Sequence, residues 1–153
     1  MLRSFDTRHK MPRIKLITIG KVKERYIQDG INEFLKRLTP FCKLEILELK
    51  DEGIEKESKK LEKYIGQNTF ILHEKGKQFS SEEFSGFLKN KSQSEIIFII
   101  GGHDGISEKI KQKNSGRLIS MARMTFTHEM ARLFLVEQIY RGFMILNGRK
   151  YHK

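Results

Sequence analysis

Cysteine is almost missing from this 153-residue chain: Cys42 stands alone. One thiol closes no internal disulfide and has no second cysteine with which to hold zinc, which excludes a disulfide scaffold and a zinc knuckle. Cys42 is expected to act as a small apolar filler. Long apolar runs are missing as well. The longest unbroken one, residues 96–100, falls far short of the roughly 18 residues needed to cross a bilayer. No basic-then-apolar leader with a small-residue cleavage site opens the chain, so a cytoplasmic location is expected, with no membrane partner. No internal repeat or low-complexity tract interrupts it.

Acidic residues are scarce in the last third. Residues 109–153 hold ten cations (Lys109, Lys111, Lys113, Arg117, Arg123, Arg132, Arg141, Arg149, Lys150 and Lys153) against Glu129 and Glu137 alone, whereas residues 14–108 carry sixteen of each sign. Of the net charge of +11, therefore, +8 belongs to this segment. Such a footprint favours a polyanion, held by phosphate contacts and counterion release. No lipidation signal accompanies it to suggest a membrane surface.

What is present reads as an α/β domain. A chain of this size hides about 70% of its unfolded surface, enough for a core without disulfides or metal. Residues 1–13 show no periodicity and are expected to be disordered, leaving residues 14–153 as one domain. Residues 14–19 read as a strand ending at Gly20, and Tyr26, Ile27, Ile31, Phe34, Leu35 and Leu38 then recur at helical spacing up to Pro40. A second strand is expected over 44–49. A thin stripe of Ile54, Leu61, Tyr64 and Ile65 marks a surface helix, and residues 69–72 a third strand. Ser80 and Glu83 have capping-box spacing ahead of Phe84, Phe87 and Leu88. Residues 95–100 form the most apolar, β-branched segment, which predicts a central strand buried on both faces.

That strand runs into Gly101-Gly102-His103-Asp104-Gly105-Ile106-Ser107. Glycines followed by an N-cap serine let backbone amides approach a nucleotide or cofactor closely. A dinucleotide site would put this turn after the first strand, with an acid about 20 residues on, and a P-loop would follow the glycines with Lys-Ser/Thr. Neither pattern is met. Residues 118–121 suggest a short fifth strand, 124–127 a loop, and 128–145 a long helix. The helix's apolar surface, broader than one stripe, predicts burial against both its own sheet and a partner subunit.

The polar residues with catalytic potential, His128, Arg132, Glu137, Arg141, Tyr151 and His152, gather in or beside this last helix. Helical rotation alone does not bring them together: 100° per residue puts 141 about 140° from 128. No His-x-x-x-His, Gly-x-Ser-x-Gly or carboxylate cluster is present. The residues by themselves thus define a basic α/β domain with a ligand pocket at a glycine turn.

The series Ile17-Thr18-Ile19-Gly20-Lys21, Phe98-Ile99-Ile100-Gly101-Gly102 with Gly105, Met124-Thr125-Phe126-Thr127-His128, Glu137-Gln138-Ile139-Tyr140-Arg141 and Tyr151-His152-Lys153 goes further. In this order it resembles the RlmH family of ribosomal large-subunit pseudouridine N3-methyltransferases, of the SPOUT class, across about residues 14–153. The resemblance implies a mainly parallel α/β sheet flanked by helices, with a C-terminal deep trefoil knot, and a homodimer binding S-adenosylmethionine as methyl donor without a metal. It implies 23S rRNA within the ribosome as partner, rather than DNA. Carried onto this chain, the donor pocket comprises Leu72, Gly101, Met121, Ala122, Arg123, Met124, Thr125 and Phe126. The implied catalytic group is His152 as base, Arg141 as anion stabiliser and Tyr151 as a stacking partner, with His128, Arg132 and Lys153 contacting RNA. Two positions depart from the pattern. Ala122 stands where a small hydroxyl residue is common, and Thr127 stands in place of proline, which is expected to loosen the loop before the last helix. The competing readings are a basic ribosome-assembly protein that performs no chemistry, and a tRNA methyltransferase of the same class.

Overall fold

Strands form where β-branched and aromatic residues cluster, and the parity of each strand decides which layer it builds. The computed structural model describes residues 11–153; of the disorder expected for residues 1–13, the part over 1–10 lies outside them, and Arg13 belongs to a strand. Five strands alternate with helices: β1 (Arg13–Ile19), α1 (Arg25–Leu38), β2 (Lys43–Leu49), α2 (Ile54–Glu62), β3 (Thr69–Gln78), α3 (Ser81–Lys91), β4 (Ile96–Ile100), α4 (Glu108–Lys113), β5 (Leu118–Ser120) and α5 (His128–Leu146). They make one sheet of order β2-β1-β4-β3-β5 in which every strand pairing is parallel. β4 lies at its centre, as its composition predicts. β1 begins at Arg13, one residue earlier than expected, because Arg13 pairs with Lys43 and the Pro12 carbonyl accepts from the Lys43 amide at 2.8 Å.

Even-numbered positions on the inner strands (Ile14, Leu16, Phe70, Ile96, Phe98 and Ile100) face a core shared with α1, α3 and α5. Ile17, Ile19, Ile71 and Ile99 face the opposite core, closed by Leu61 of α2 and by Ile106 and Ile110 at α4. The sheet is thus covered on both faces, as a parallel sheet requires. Ser80 accepts from the Glu83 amide at 3.0 Å while Glu83 accepts from the Ser80 amide at 2.9 Å, completing the expected capping box.

One expectation needs correction. β3 extends to Gln78, well past residue 72: it pairs with β5 at Ile71–Leu72 and again at Lys77–Gln78, with residues 73–76 forming a bulge between. The bulge sequence His-Glu-Lys-Gly carries no apolar alternation, because it leaves the ladder between its two paired stretches and neither core lies beneath it. Gly76 sits so close to β5 that a Cβ there would lie 2.5 Å from the Ile119 amide nitrogen. Helix α5 buries only part of its apolar surface within the chain: Leu135, Val136, Ile139 and Phe143 pack into the core that holds Phe34 and Leu35 of α1 and Phe84 and Leu88 of α3, while Met130, Leu133 and Phe134 stay half-buried outside both cores. Among the described residues no helix is long and apolar enough to cross a membrane.

Candidate functional site

At the C-terminal ends of β3, β4 and β5 the chain leaves a cleft of about 690 Å³. Open parallel sheets place ligands at such strand ends. β4 delivers the glycine turn, closed by a hydrogen bond from the Gly105 amide to the Gly102 carbonyl at 3.0 Å, with Gly105 at φ +77. Gly101 admits no side chain without displacing this turn: a Cβ would stand 2.8 Å from the Gly105 carbonyl carbon. Ser107 accepts from the Ile110 amide at 3.3 Å and starts α4, as its position predicts.

The facing wall is the segment 121–127. The Ser120 hydroxyl donates to the Ala122 carbonyl at 2.7 Å, the Thr125 hydroxyl donates to Glu74 in the β3 bulge, and Phe126 packs edge-on against Phe134 with centroids 5.0 Å apart. Thr127 takes the backbone angle that a proline would impose, with φ at −59. Its hydroxyl accepts from the Met130 amide at 3.2 Å, capping α5. Threonine keeps the backbone angle and adds an N-cap that proline lacks.

Of the eight residues expected at the donor pocket, Leu72, Gly101, Met121, Ala122, Met124, Thr125 and Phe126 line this cleft, whereas Arg123 is exposed and does not. Sequence reading missed Glu24, His73 and Glu74, which lie in a loop and a bulge without a periodic signal, and read Tyr26 only as part of a helix stripe, yet all four line it. The charge of the cleft runs against that of the chain. Its lining includes Glu24, Glu74 and Glu129 but no lysine or arginine among the described residues, in a protein of net charge +11.

The residues expected to contact RNA are dispersed. His128 lines the cleft, Lys153 is exposed, and Arg132 is buried at 3% exposure with its guanidinium on Glu48. Arg132 therefore presents no face to a phosphate. The three expected catalytic residues do converge, but away from the cleft. Glu137 accepts from Arg141 Nη2 at 2.6 Å and from the Tyr151 hydroxyl at 2.9 Å, and Arg141 lies 4.8 Å from the Tyr151 ring centroid. Arg141 Nη1 stands 3.0 Å from His152 Nδ1, and His152 Nε2 is 2.8 Å from Glu82. Arginine has no acceptor, so Nδ1 accepts from Arg141 and Nε2–H donates to Glu82. The Glu137 hydrogen bond raises the Arg141 pKa. Burial first, and the bond to Glu137 second, raise that of the Tyr151 phenol. A hydrogen bond from its own backbone amide, then one from His152, lowers that of Glu82. From Ala131, the last α5 residue at the cleft, to Arg141 the helix travels about 15 Å at 1.5 Å per residue. None of these three residues lines the cleft of its own chain.

Cys42 is buried, and burial pushes its thiol up to about 12, which leaves it protonated and unreactive, the filler expected. Among the described residues no three His, Cys, Asp or Glu side chains converge as a metal ion would need.

The chain that carries this glycine turn and facing segment matches, over residues 12–152, a family model described as "Predicted SPOUT methyltransferase", and it belongs to this family. More particularly, it is 43% identical to the ribosomal RNA large subunit methyltransferase H of Enterococcus faecalis, over 92% of this chain and 99% of that protein. It is 45% identical to the protein of the same name from Streptococcus uberis, with the same coverage of both.

Proposed function

We propose that this protein transfers a methyl group from S-adenosylmethionine to N3 of a pseudouridine in 23S rRNA, working as a homodimer. The observation that carries the donor assignment is the charge of the cleft. S-adenosylmethionine is a net cation, through its sulfonium and ammonium groups, and a cleft with glutamates and no lysine or arginine suits it where the phosphates of RNA would be repelled. Leu72, Ile100, Met121 and Phe126 offer apolar surface for adenine, and the bare backbone at Gly101 permits close approach. Bound there, the donor supplies an electrophilic methyl. We read the segment 121–127, which bounds this cleft, as the knotted part of the fold.

The relatives named as ribosomal RNA methyltransferases support the acceptor. The exposed cations Lys109, Lys113, Arg123, Arg149, Lys150 and Lys153 supply phosphate contacts outside the cleft. N3 of the base carries a proton and is a poor nucleophile until it is lost, so a base and an anion stabiliser are required. His152 and Arg141 fill those roles. In this arrangement the lone pair of His152 Nδ1 rests on Arg141, and substrate must displace that bond to use it. Because Arg141 stands about 15 Å along α5 beyond Ala131, which still lines the cleft, a second copy is what brings the cluster to a bound donor. An assembly factor without chemistry has no use for such a cleft and is not favoured.

The test is transfer of labelled methyl to ribosomes lacking native methylation at this position, followed by mass spectrometry of nuclease fragments. One methylated pseudouridine in 23S rRNA is expected; methyl on tRNA instead would move the acceptor. A second expectation follows from the charge of the cleft. Glu74→Gln keeps the acceptor for Thr125 but removes the charge, so affinity for the cationic donor should fall about two- to fivefold, the scale of an exposed ion pair. Affinity for the demethylated thioether product, which lacks the sulfonium charge, should change less. Calorimetry with both ligands checks this, and equal losses would remove the charge argument.

A further inference from the structure

We infer that Arg132 is a positioning residue for the donor cleft: it fixes the connection between β1 and α1, which forms one wall of the cleft. The inference rests on the donor assignment above for its effect on binding, and on geometry alone for its effect on the loop.

Arg132 Nη1 lies 2.7 Å from Glu48 Oε2 on β2, and Nη2 donates to the Gly20 carbonyl at 3.1 Å. Gly20 closes β1 at φ +77, and its amide donates to the Leu49 carbonyl at 2.7 Å. One turn earlier on α5, Glu129 accepts from the amides of Lys23 at 2.7 Å and Glu24 at 3.2 Å. Two side chains at i and i+3 on one helix face thus grip both ends of the segment 20–24. At its far end Glu24 is tied to α1 through its carbonyl, which accepts from the Gln28 amide at 3.1 Å, and makes no side-chain cap hydrogen bond among the described residues. It leads directly into Glu24, Tyr26 and Ile27, which line the cleft. The first turn of α5, whose cap Thr127 belongs to the opposite wall, therefore sets the spacing between the two sides of the cleft.

A planar fork that makes two bonds in fixed directions is not replaced by a lysine, which brings one compact charge. Arg132 Nε and the Thr18 hydroxyl, each buried without a hydrogen-bond partner, are a further sign that this site is not optimised for stability alone. Thr18 lies in register with Glu48, the carboxylate that Arg132 holds.

Arg132→Met and Glu129→Ala test the role through three readouts. Amide hydrogen exchange at residues 20–24 should accelerate in both variants. Donor affinity should fall about tenfold in Arg132→Met, raising the donor KM while kcat at saturating donor stays within a few fold, and Arg132→Lys should restore it in part. The salt dependence of RNA binding should keep its slope, because a phosphate contact is what would lower that slope by about one. Unchanged exchange at 20–24 overturns the inference, as does a lowered salt slope. If Arg132→Met fails to fold, Glu129→Ala, which leaves the buried pair intact and removes the acceptor of the Lys23 and Glu24 amides, carries the exchange measurement. If the wild-type protein binds no donor, the proposed function fails, and hydrogen exchange alone still decides whether Arg132 and Glu129 hold the loop.

Discussion

Replacing His152 by alanine is expected to slow methyl transfer by about a hundred- to ten-thousandfold, the range spanned by loss of a general base. Donor affinity should stay within a few fold, because His152 does not line the donor cleft. The imidazole is held from both sides, by Arg141 at Nδ1 and Glu82 at Nε2, so its orientation is set before substrate arrives. A variant with normal turnover would remove His152 from the mechanism. Mixed dimers give the same prediction a second arm. A chain carrying Gly101→Ala, whose new Cβ collides with the glycine turn, retains its tail, and a chain carrying His152→Ala retains its cleft. If the tail of one copy serves the cleft of the other, a two-fold dimer of these chains has one intact site of two and should recover about half the activity. If each tail serves its own chain, the mixture stays inactive.

Gly76→Ala should be the most damaging small substitution in the sheet. A methyl at this position would stand 2.5 Å from the Ile119 nitrogen and 2.6 Å from the Leu118 carbonyl carbon, both backbone atoms that no rotamer change can move aside. β5 must separate from the upper part of β3, with a loss above the roughly 1–3 kcal/mol of ordinary overpacking. The damage should spread to the cleft, because β5 leads straight into Met121 and Ala122. Denaturant unfolding and donor titration measure the two effects. Gly86→Ala is the control: it lies inside α3, with nothing within 4 Å of the added methyl, and alanine there should stabilise by about 0.5–1 kcal/mol through helix propensity. A Gly76→Ala protein as stable as the wild type would mean that β3 and β5 do not approach as described.

What the sequence disclosed depended on whether a residue's role was local. The capping box at Ser80 and Glu83, the cap at Ser107 and the burial of β4 are properties of short segments, and each is found where patterning places it. The cleft was legible through the glycine turn, and its far wall through family resemblance, although Arg123 points out of it. The bulge in β3 was hidden because polar residues that leave the ladder look like a loop until their partner strand is known. Arg132 was misread for a related reason. Its charge counts toward a basic segment, but Glu48, eighty-four positions away, neutralises it, and no local pattern carries that pairing.

The order of strands in the sheet also shapes how the chain is made. β3 has β4 on one side and β5 on the other, and β5 is the last strand to be synthesised. After β4 docks, the outer edge of β3 remains open until residues 118–120 leave the ribosome. The twenty residues from Gly101 to Ser120 take about one to four seconds to translate. During that interval a bare strand edge is a template for pairing with another nascent chain. Lys75 and Lys77, exposed beside the bulge, place positive charge on that edge, so two such edges repel each other until β5 arrives to cover it.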